Sequence, residues 1–585
     1  MRRMVILVLL AMGISLSGQD REGMEEIMRF LGAESPEEMD EQVVERLADF
    51  LQRPLKINQS SLSRLIDSGL LDRYRAMSLL DYRSRHGDVL SLTELSLVDG
   101  FGEVFARNLA PFVSFESIMN PGARQKNRNR LRTDVNLKGG MKYSEQMQWM
   151  SGLKSRIEYR DAMTASFALT SPYGHFDPSA FNYTAGLIFN IPKIRTKLLL
   201  GDFNARFGQG LAMWNGLSLG SLSSPSAFMK NPTGLSLSSS FTGNYAHTGL
   251  GLESVIGKFV LSGFVVLPDL KYGGKDFRVL PAINLARYGK YGHLALTHHA
   301  VLTPRSKEVE QITSIDTRWC IRGFDLFGEC AFDWVNMKAA AIAGAIIPEG
   351  ESLRLATVLR YYPASFGSAQ AGAMYSVSSA SNEYSMSVSS ELNMNRKHRI
   401  VFTVDGAHLP SPKKGDRGGS MQFKGLLTWE GEVLTWLTLK ARLTERYRTW
   451  GEKFRTDARL DLLSAFGDFR VNMRVNALAC SDVGFLSYLE GGWVRERLSI
   501  WLRQGFFRID DWDDRIYAYE RSAPGSFKVP AYYGMGMWTA LTLSSKLSRW
   551  CKLYLRASAT AYPFMQMEKR KPGKAELELY SVFSF

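Results

Sequence analysis

Two short glycine turns carry the most specific chemistry in the chain, Gly69-Leu70 and Gly100-Phe101-Gly102. Glycine permits a tight reversal there and leaves backbone N–H groups open at the start of the following helix, where they can donate to a phosphate oxygen without any side chain. Arg73, Arg83 and Arg107, with Arg64, Arg75 and Arg85, could gather on one face beside these turns and complete a DNA-binding surface. A second set of cations lies much later, on the polar phase of alternating segments: Arg354, Arg360, Lys440, Arg442, Arg470, Arg474, Arg503, Lys552 and Arg556. If those segments are strands of a closed barrel, these residues face its lumen, and a basic lumen favours anionic passengers such as nucleic acid, acidic glycans or phosphorylated solutes. The competing reading pairs them with lumenal acids, or sets exposed ones against anionic lipopolysaccharide.

Other chemistry finds no footing. No Ser/His/Asp or Cys/His order, HExxH or paired-carboxylate motif stands out, so the chain is not expected to be an enzyme. Cys320, Cys330, Cys480 and Cys551 show no CxxC spacing, which argues against a disulfide framework. His298 and His299 fall on opposite faces of a strand and make a poor metal clip, and no metal site or cofactor is expected. Gly251 to Lys258 superficially resembles a phosphate loop but has the wrong spacing and no Ser or Thr after the lysine.

The elements that must position these residues divide the chain into unlike parts. Arg2 and Arg3, an apolar run from Val5 to Leu16 and small residues after it read as an export signal over 1–17. From there to 117 the pattern is helical, an acidic segment 18–56 followed by a compact module 57–117. Ser35-Pro36-Glu37-Glu38 is read as a capping box opening a helix through Met39, Val43, Leu47 and Phe50, and Ser91-Leu92-Thr93-Glu94 as another. Asn120 to Arg130 is a basic linker over 118–130.

From 131 to 585 the period becomes two. Val471, Met473, Val475 and Ala477 alternate with Arg470, Asn472, Arg474 and Asn476, and Leu437 to Thr444 and Lys552 to Ala559 repeat the pattern. With 23 Tyr, 33 Phe and frequent glycine, the fold class is mainly β: a large antiparallel transmembrane barrel of roughly 22–26 strands with a small all-α N-terminal domain. A soluble sandwich or propeller would also alternate. The end at Tyr580-Ser581-Val582-Phe583-Ser584-Phe585 resembles the C-terminal strand signal read by the outer-membrane assembly machinery, with Tyr580 where glycine is usual. The segment from Gly208 to Gly216, with the Ser/Gly-rich run to Ser240, interrupts the rhythm and is expected to be an external loop or a constriction folded into the lumen.

The segment 57–115 resembles the helix-hairpin-helix module of the ComEA-type competence DNA receptors. The likeness is carried by Asn58, Gly69-Leu70, Ala76, Tyr82-Arg83, Gly87, the approach from Leu95 to Val98, and Gly100-Phe101-Gly102. It implies paired helical hairpins and contact with DNA. Glu103 and Val104 stand where a lysine or arginine usually follows in DNA-binding members, and docking on a protein partner is the alternative. Residues 18–118 hold 11 Lys and Arg against 19 Asp and Glu, while the whole chain is +14, so the excess positive charge belongs to the barrel. The expected protein is an outer-membrane channel or transporter with its helical domain in the periplasm, receiving DNA or another anionic passenger. The alternative is a structural or assembly protein whose helical domain docks a periplasmic protein and whose lumen is plugged. Outer-membrane lipid and the barrel-assembly machinery are partners in either case.

Overall fold

The computed structural model describes residues 19–117, 131–160, 162–175, 177–216, 222–241, 246–268, 278–303, 308–349, 352–395, 397–523, 526–564 and 572–585. The export signal at 1–17 and the basic linker at 118–130 lie outside the described residues.

Alternation decides the larger part. In the strand Leu280–Gly289, for instance, Leu280, Ala282, Asn284, Ala286 and Tyr288 are buried while Ile283, Leu285 and Arg287 face outward. Repeated along the chain, this two-residue period closes 24 antiparallel strands into a barrel, within the range expected from the sequence. Closure is made by Lys574–Ser584 against Leu131–Tyr143, in register from Ala575 opposite Tyr143 to Ser584 opposite Asp134. Every strand then has both neighbours, which leaves no open edge for lipid to solvate.

The outer surface is apolar, with aromatic side chains at both ends of the strands. Tyr159, Tyr291, Trp319, Trp436, Phe466 and Trp550 mark one rim, and Trp149, Tyr183, Trp334, Tyr361, Tyr384 and Phe454 the other. Paired aromatic belts around an apolar band are what a bilayer demands of a barrel. Short turns such as 257–258, 322–323 and 467–468 close the rim that carries the barrel's first and last residues. The long connections 207–246, 363–382 and 510–533 leave from the opposite rim.

Among the described residues six helices precede the barrel: α1 Gln19–Leu31, α2 Glu41–Gln52, α3 Leu62–Asp67, α4 Arg73–His86, α5 Leu92–Leu97 and α6 Gly102–Leu109. Four of them begin at a side-chain cap. Asp40 accepts from the N–H groups of Gln42 and Val43, Ser61 from Arg64, Asp72 from Arg75 and Ser91 from Glu94. The expected box at Ser91 forms with a shift, because Glu94 reaches back to the N–H of Leu90 at 2.6 Å. The box at Ser35 does not form. Pro36–Glu38 is a single 3-10 turn ending at Met39, and the Ser35 hydroxyl bonds the Glu37 carboxylate instead of a backbone N–H. Helix α2 starts afresh from Asp40.

Ile27, Met28, Val44 and Leu47 of α1 and α2 share one core with Leu65, Leu70, Leu79, Leu95, Phe101 and Phe112 of the later helices. Buried Asn58 ties that core to its connections, donating to the Val89 carbonyl at 2.8 Å and accepting from the Val89 N–H at 2.9 Å. A two-residue parallel bridge, Leu55–Lys56 against Val113–Ser114, brings the ends of the hairpin region together.

Candidate functional site

The helical domain does not stand apart from the barrel as a separate periplasmic module; it is seated on the inner wall. Its acids meet the barrel's cations strand by strand. Glu34 pairs with Arg399 at 2.7 Å, and Glu37 with Arg474 at 2.8 Å and Arg459 at 3.2 Å. Glu38 pairs with Arg442, Glu45 with Lys154, and Asp67 with Lys197 at 2.8 Å. Among the described residues four pairs run the other way, from Arg29 to Glu430, Arg53 to Asp134, Arg64 to Glu158 and Arg73 to Glu253. The domain's excess of acids and the barrel's excess of cations are therefore two halves of one interface.

Asp72 is a deeply buried node of this interface. At 2 % exposure its carboxylate takes Arg75 at 2.8 Å and the barrel's Arg318 at 2.9 Å while capping α4 through the Arg75 N–H. Burial alone would raise its pKa, but Arg75 and Arg318 overcome that and hold it below the ordinary carboxylate value. Burial is likewise outweighed at Glu37 by Arg474 and Arg459, and at Glu34 by Arg399, so both are lowered. At Glu38 burial wins over Arg442 and the pKa is raised. Apolar contact with the wall is small and local: Tyr74 packs with Val260, Ala286, Tyr288 and Ala295, and its hydroxyl donates to the Lys290 carbonyl at 2.7 Å.

From the other side, the long connections fold inward. Of the two readings of Gly208 to Gly216, the structure takes the lumenal one. Glu329, on the strand Phe324–Asp333, gathers the N–H groups of Gln209, Leu211 and Ala212 at 2.7, 3.0 and 3.1 Å. Gly32 at the end of α1 accepts from the Ser224 N–H at 3.1 Å, while Glu37 and Glu41 accept from the N–H groups of Tyr519 and Phe527. Helical domain and inward loops thus meet inside the barrel.

The two glycine turns have separate fates. At the first, Gly69 adopts φ +74°, Leu70 is buried, and Arg73 is spent on Glu253 and on Ser262 at 3.1 Å. Asp72 already occupies the N-terminus of the helix that follows. At the second, Gly100 and Gly102 adopt φ +82° and +65°, and Phe101 is buried edge-on to Phe105. Gly102 is exposed. Arg83 donates to the carbonyls of Ile57 and Ser60, each at 3.0 Å, and to that of Asn58, stapling the start of the module. Arg107 is exposed and pairs with Glu103 at 2.9 Å. The structure therefore does not gather Arg73, Arg83 and Arg107 into one surface.

Of the cations expected in the lumen, most have acidic partners there. Arg360 bonds Glu383 and Asp405, Arg503 bonds Glu490 at 2.8 Å, Arg556 bonds Glu520, and Lys440 lies 3.7 Å from Glu430. Arg442 and Arg474 hold the helical domain, Lys552 bonds Gln52 at its edge, and Arg354 bonds Ser226 at 2.6 Å. Arg470 departs from the expectation, because its guanidinium folds back onto the carbonyls of Gly467 and Phe469 at the short-turn rim. Glu34, Asp72, Arg318, Arg399 and Arg459 escape motif reading altogether. Their only sequence signal is the opposite charge of the two parts of the chain.

His299 bonds Glu310 and His298 bonds Thr313, on opposite faces as expected, and no metal-binding cluster occurs among the described residues. No protein-family model and no curated protein matches the chain. Among solved structures it is similar to the siderophore receptor PirA of Pseudomonas aeruginosa, at 10 % identity and TM-score 0.38, over 78 % of this chain and 80 % of that one. It is similar also to the P pilus usher PapC translocation pore, at 10 % identity and TM-score 0.39, over 78 % and 99 %. A third is the ferric-catecholate import receptor Fiu of Escherichia coli K12, at 9 % identity and TM-score 0.36, over 78 % and 82 %. At such values these likenesses carry no information on passenger or mechanism.

Proposed function

We propose that the chain is an outer-membrane channel or transporter whose lumen is closed by its own N-terminal helical domain and opens when that domain is displaced. The observation that carries this reading is the chemistry of the interface. Buried ion pairs gain little net stability over an apolar contact, because desolvation offsets their attraction, yet they fix orientation closely. A plug held this way is specific and releasable, whereas an apolar seal of the same extent would behave as a permanent core. The lumen exposed by its departure is rich in arginine, which suits an anionic passenger. DNA is the passenger suggested by the helix-hairpin-helix resemblance. The support for it is the basic wall, since Arg73 and Arg83 already serve protein partners.

One observation favours the second reading, an anchor for a periplasmic protein. Leu90, Leu92 and Leu97, at and beside α5, are exposed on the helical domain. Planar-bilayer conductance separates the two. The gate reading expects a nearly silent wild type, and frequent large openings in a variant carrying Glu34→Gln, Glu37→Gln and Asp72→Asn. Silence in both proteins would overturn it and leave the anchor.

A further inference from the structure

The lumen wall between Ser420 and Ala479 carries two rows of like charge, and only one has a counter-charge. In the lower row Arg442 stands directly opposite Arg459 on the neighbouring strand. Like charges directly opposed across a strand pair repel. Here the helical domain resolves the conflict, because Glu38 binds Arg442 and Glu37 binds Arg459.

Four residues along the same two strands the arrangement is repeated. Arg446 stands directly opposite Arg455, and on the other flank Lys424 stands directly opposite Arg446. These residues share the lumenal phase of Arg442 and Arg459, while the opposite phase holds the exposed Phe423, Leu443 and Leu460. At the usual rise per residue the second row lies about 13 Å from the first, toward the long-loop rim.

This row receives no acid from the helical domain. Among the described residues, no carboxylate forms an ion pair with Lys424, Arg446 or Arg455. Asp405 lies opposite Lys424 but is engaged by Arg360, Ser376 and Ser387. Lys424 reaches the carbonyl of Ser376, and Arg446 lies 3.9 Å from the sulfur of Cys480. The Nε of Arg446 is shielded from solvent with no hydrogen-bond partner. The lower row shows what such an arrangement takes, namely an oxyanion on each of the adjacent guanidinium groups.

We propose that Lys424, Arg446 and Arg455 form an anion-binding row in the lumen, taking a solute with two or more phosphate-type groups about 5 Å apart, the spacing of neighbouring strands. It rests on the reading of the lumen as a passage for anions and gives that passage a binding station beyond the plug. Guanidinium groups suit the ligand because each presents paired N–H donors to two oxygens.

The test is calorimetric titration of the full-length protein in detergent micelles at low ionic strength, with sodium tripolyphosphate as probe and orthophosphate as the single-group control. Saturable, salt-sensitive binding of tripolyphosphate is expected, at least tenfold tighter than orthophosphate. Arg446→Gln/Arg455→Gln should weaken it at least tenfold and, with the repulsion removed, raise the unliganded melting midpoint. Arg495→Gln, which removes one charge at the short-turn rim, should bind as wild type does. Absence of binding by the wild type, or undiminished binding by the double variant, would overturn the proposal. If the double variant does not assemble, Arg455→Gln alone should show a several-fold loss, and no loss there is equally fatal. Conductance of the same preparations tells the two readings apart. Binding without openings removes the gate and keeps the site, and openings without binding do the reverse.

Discussion

The two glycine turns of the helical domain share a sequence pattern and have opposite surroundings. Gly69-Leu70 joins α3 to α4 beside Arg46 of α2, and the helix it introduces sends Arg73 to Glu253 and, through Asp72, engages Arg318. Gly100-Phe101-Gly102 keeps its apolar residue in the core but leaves Gly102, Glu103 and Arg107 at the surface. The same backbone device thus serves a docking face in one half of the domain and an exposed face in the other. What distinguishes them is the residue at the head of the next helix: a carboxylate with two guanidinium partners at the first, and nothing comparable at the second.

The sharpest way to break the docking face is at Asp72. Asp72→Ala leaves Arg75 and Arg318 buried against each other without their shared acid. Removing one member of a buried charge cluster costs about 3–5 kcal/mol. Amide hydrogen exchange of residues 19–117, followed by mass spectrometry, should show the first half of the domain exchanging far faster, with the strands unaffected. Equal protection in variant and wild type would show that the pairs do not hold the domain.

Acid should act on the same face without mutation. Asp72, Glu37 and Glu34 have lowered pKa values, so the docked state binds fewer protons than the released one. Their contribution is complete above the ordinary carboxylate values near about pH 4 and is lost as pH falls through the lowered ones. Glu38 is raised and acts with the opposite sign, contributing most when protonated and losing that contribution as pH rises through its raised value. Protection of 19–80 is expected to persist from neutral pH to about 4 and to fail below it. Failure already at pH 6 would mean that other groups govern docking.

Two glycines of the second turn separate packing from backbone strain. At Gly100 a Cβ would stand 2.3 Å from the Tyr74 ring, which is held by its hydroxyl bond to Lys290 and cannot retreat freely. At Gly102 a Cβ would meet nothing within 4 Å. Both have positive φ, so each alanine carries the left-handed penalty, about 1 kcal/mol for Gly102→Ala, while Gly100→Ala should approach about 3 kcal/mol. Equal losses in thermal or chemical unfolding would contradict the packing of Tyr74 beneath the turn.

How much of this was legible follows from where each signal lies. The barrel is written in local alternation, as in Val471 to Ala477, and so could be read residue by residue. The helix starts at Ser91 and the glycine turns are equally local. The failure at Ser35 is instructive, because Glu37 and Glu38 looked like the acids of a capping box and instead reach Arg474, Arg459 and Arg442, more than four hundred residues away. No local pattern separates a carboxylate that caps a helix from one that docks it. The charge imbalance between the parts held that information only as a total, without pairing. The inward course of Gly208 to Gly216 is likewise set by a distant residue, Glu329, which binds its backbone.

The smallest effect belongs to the exposed face, and it tests the contrast from the other side. Arg107 and Glu103 form an exposed i,i+4 pair on α6, with side chains 52 % and 54 % accessible. Such pairs contribute about 0.3–0.5 kcal/mol, and salt screens them. Arg107→Ala should therefore leave unfolding within about 0.5 kcal/mol of wild type and leave hydrogen exchange at the docking face unchanged. A larger loss, or altered protection near Asp72, would mean that the second turn is coupled to docking. The two hairpins would then act as one unit rather than as a fixed half and an exposed half.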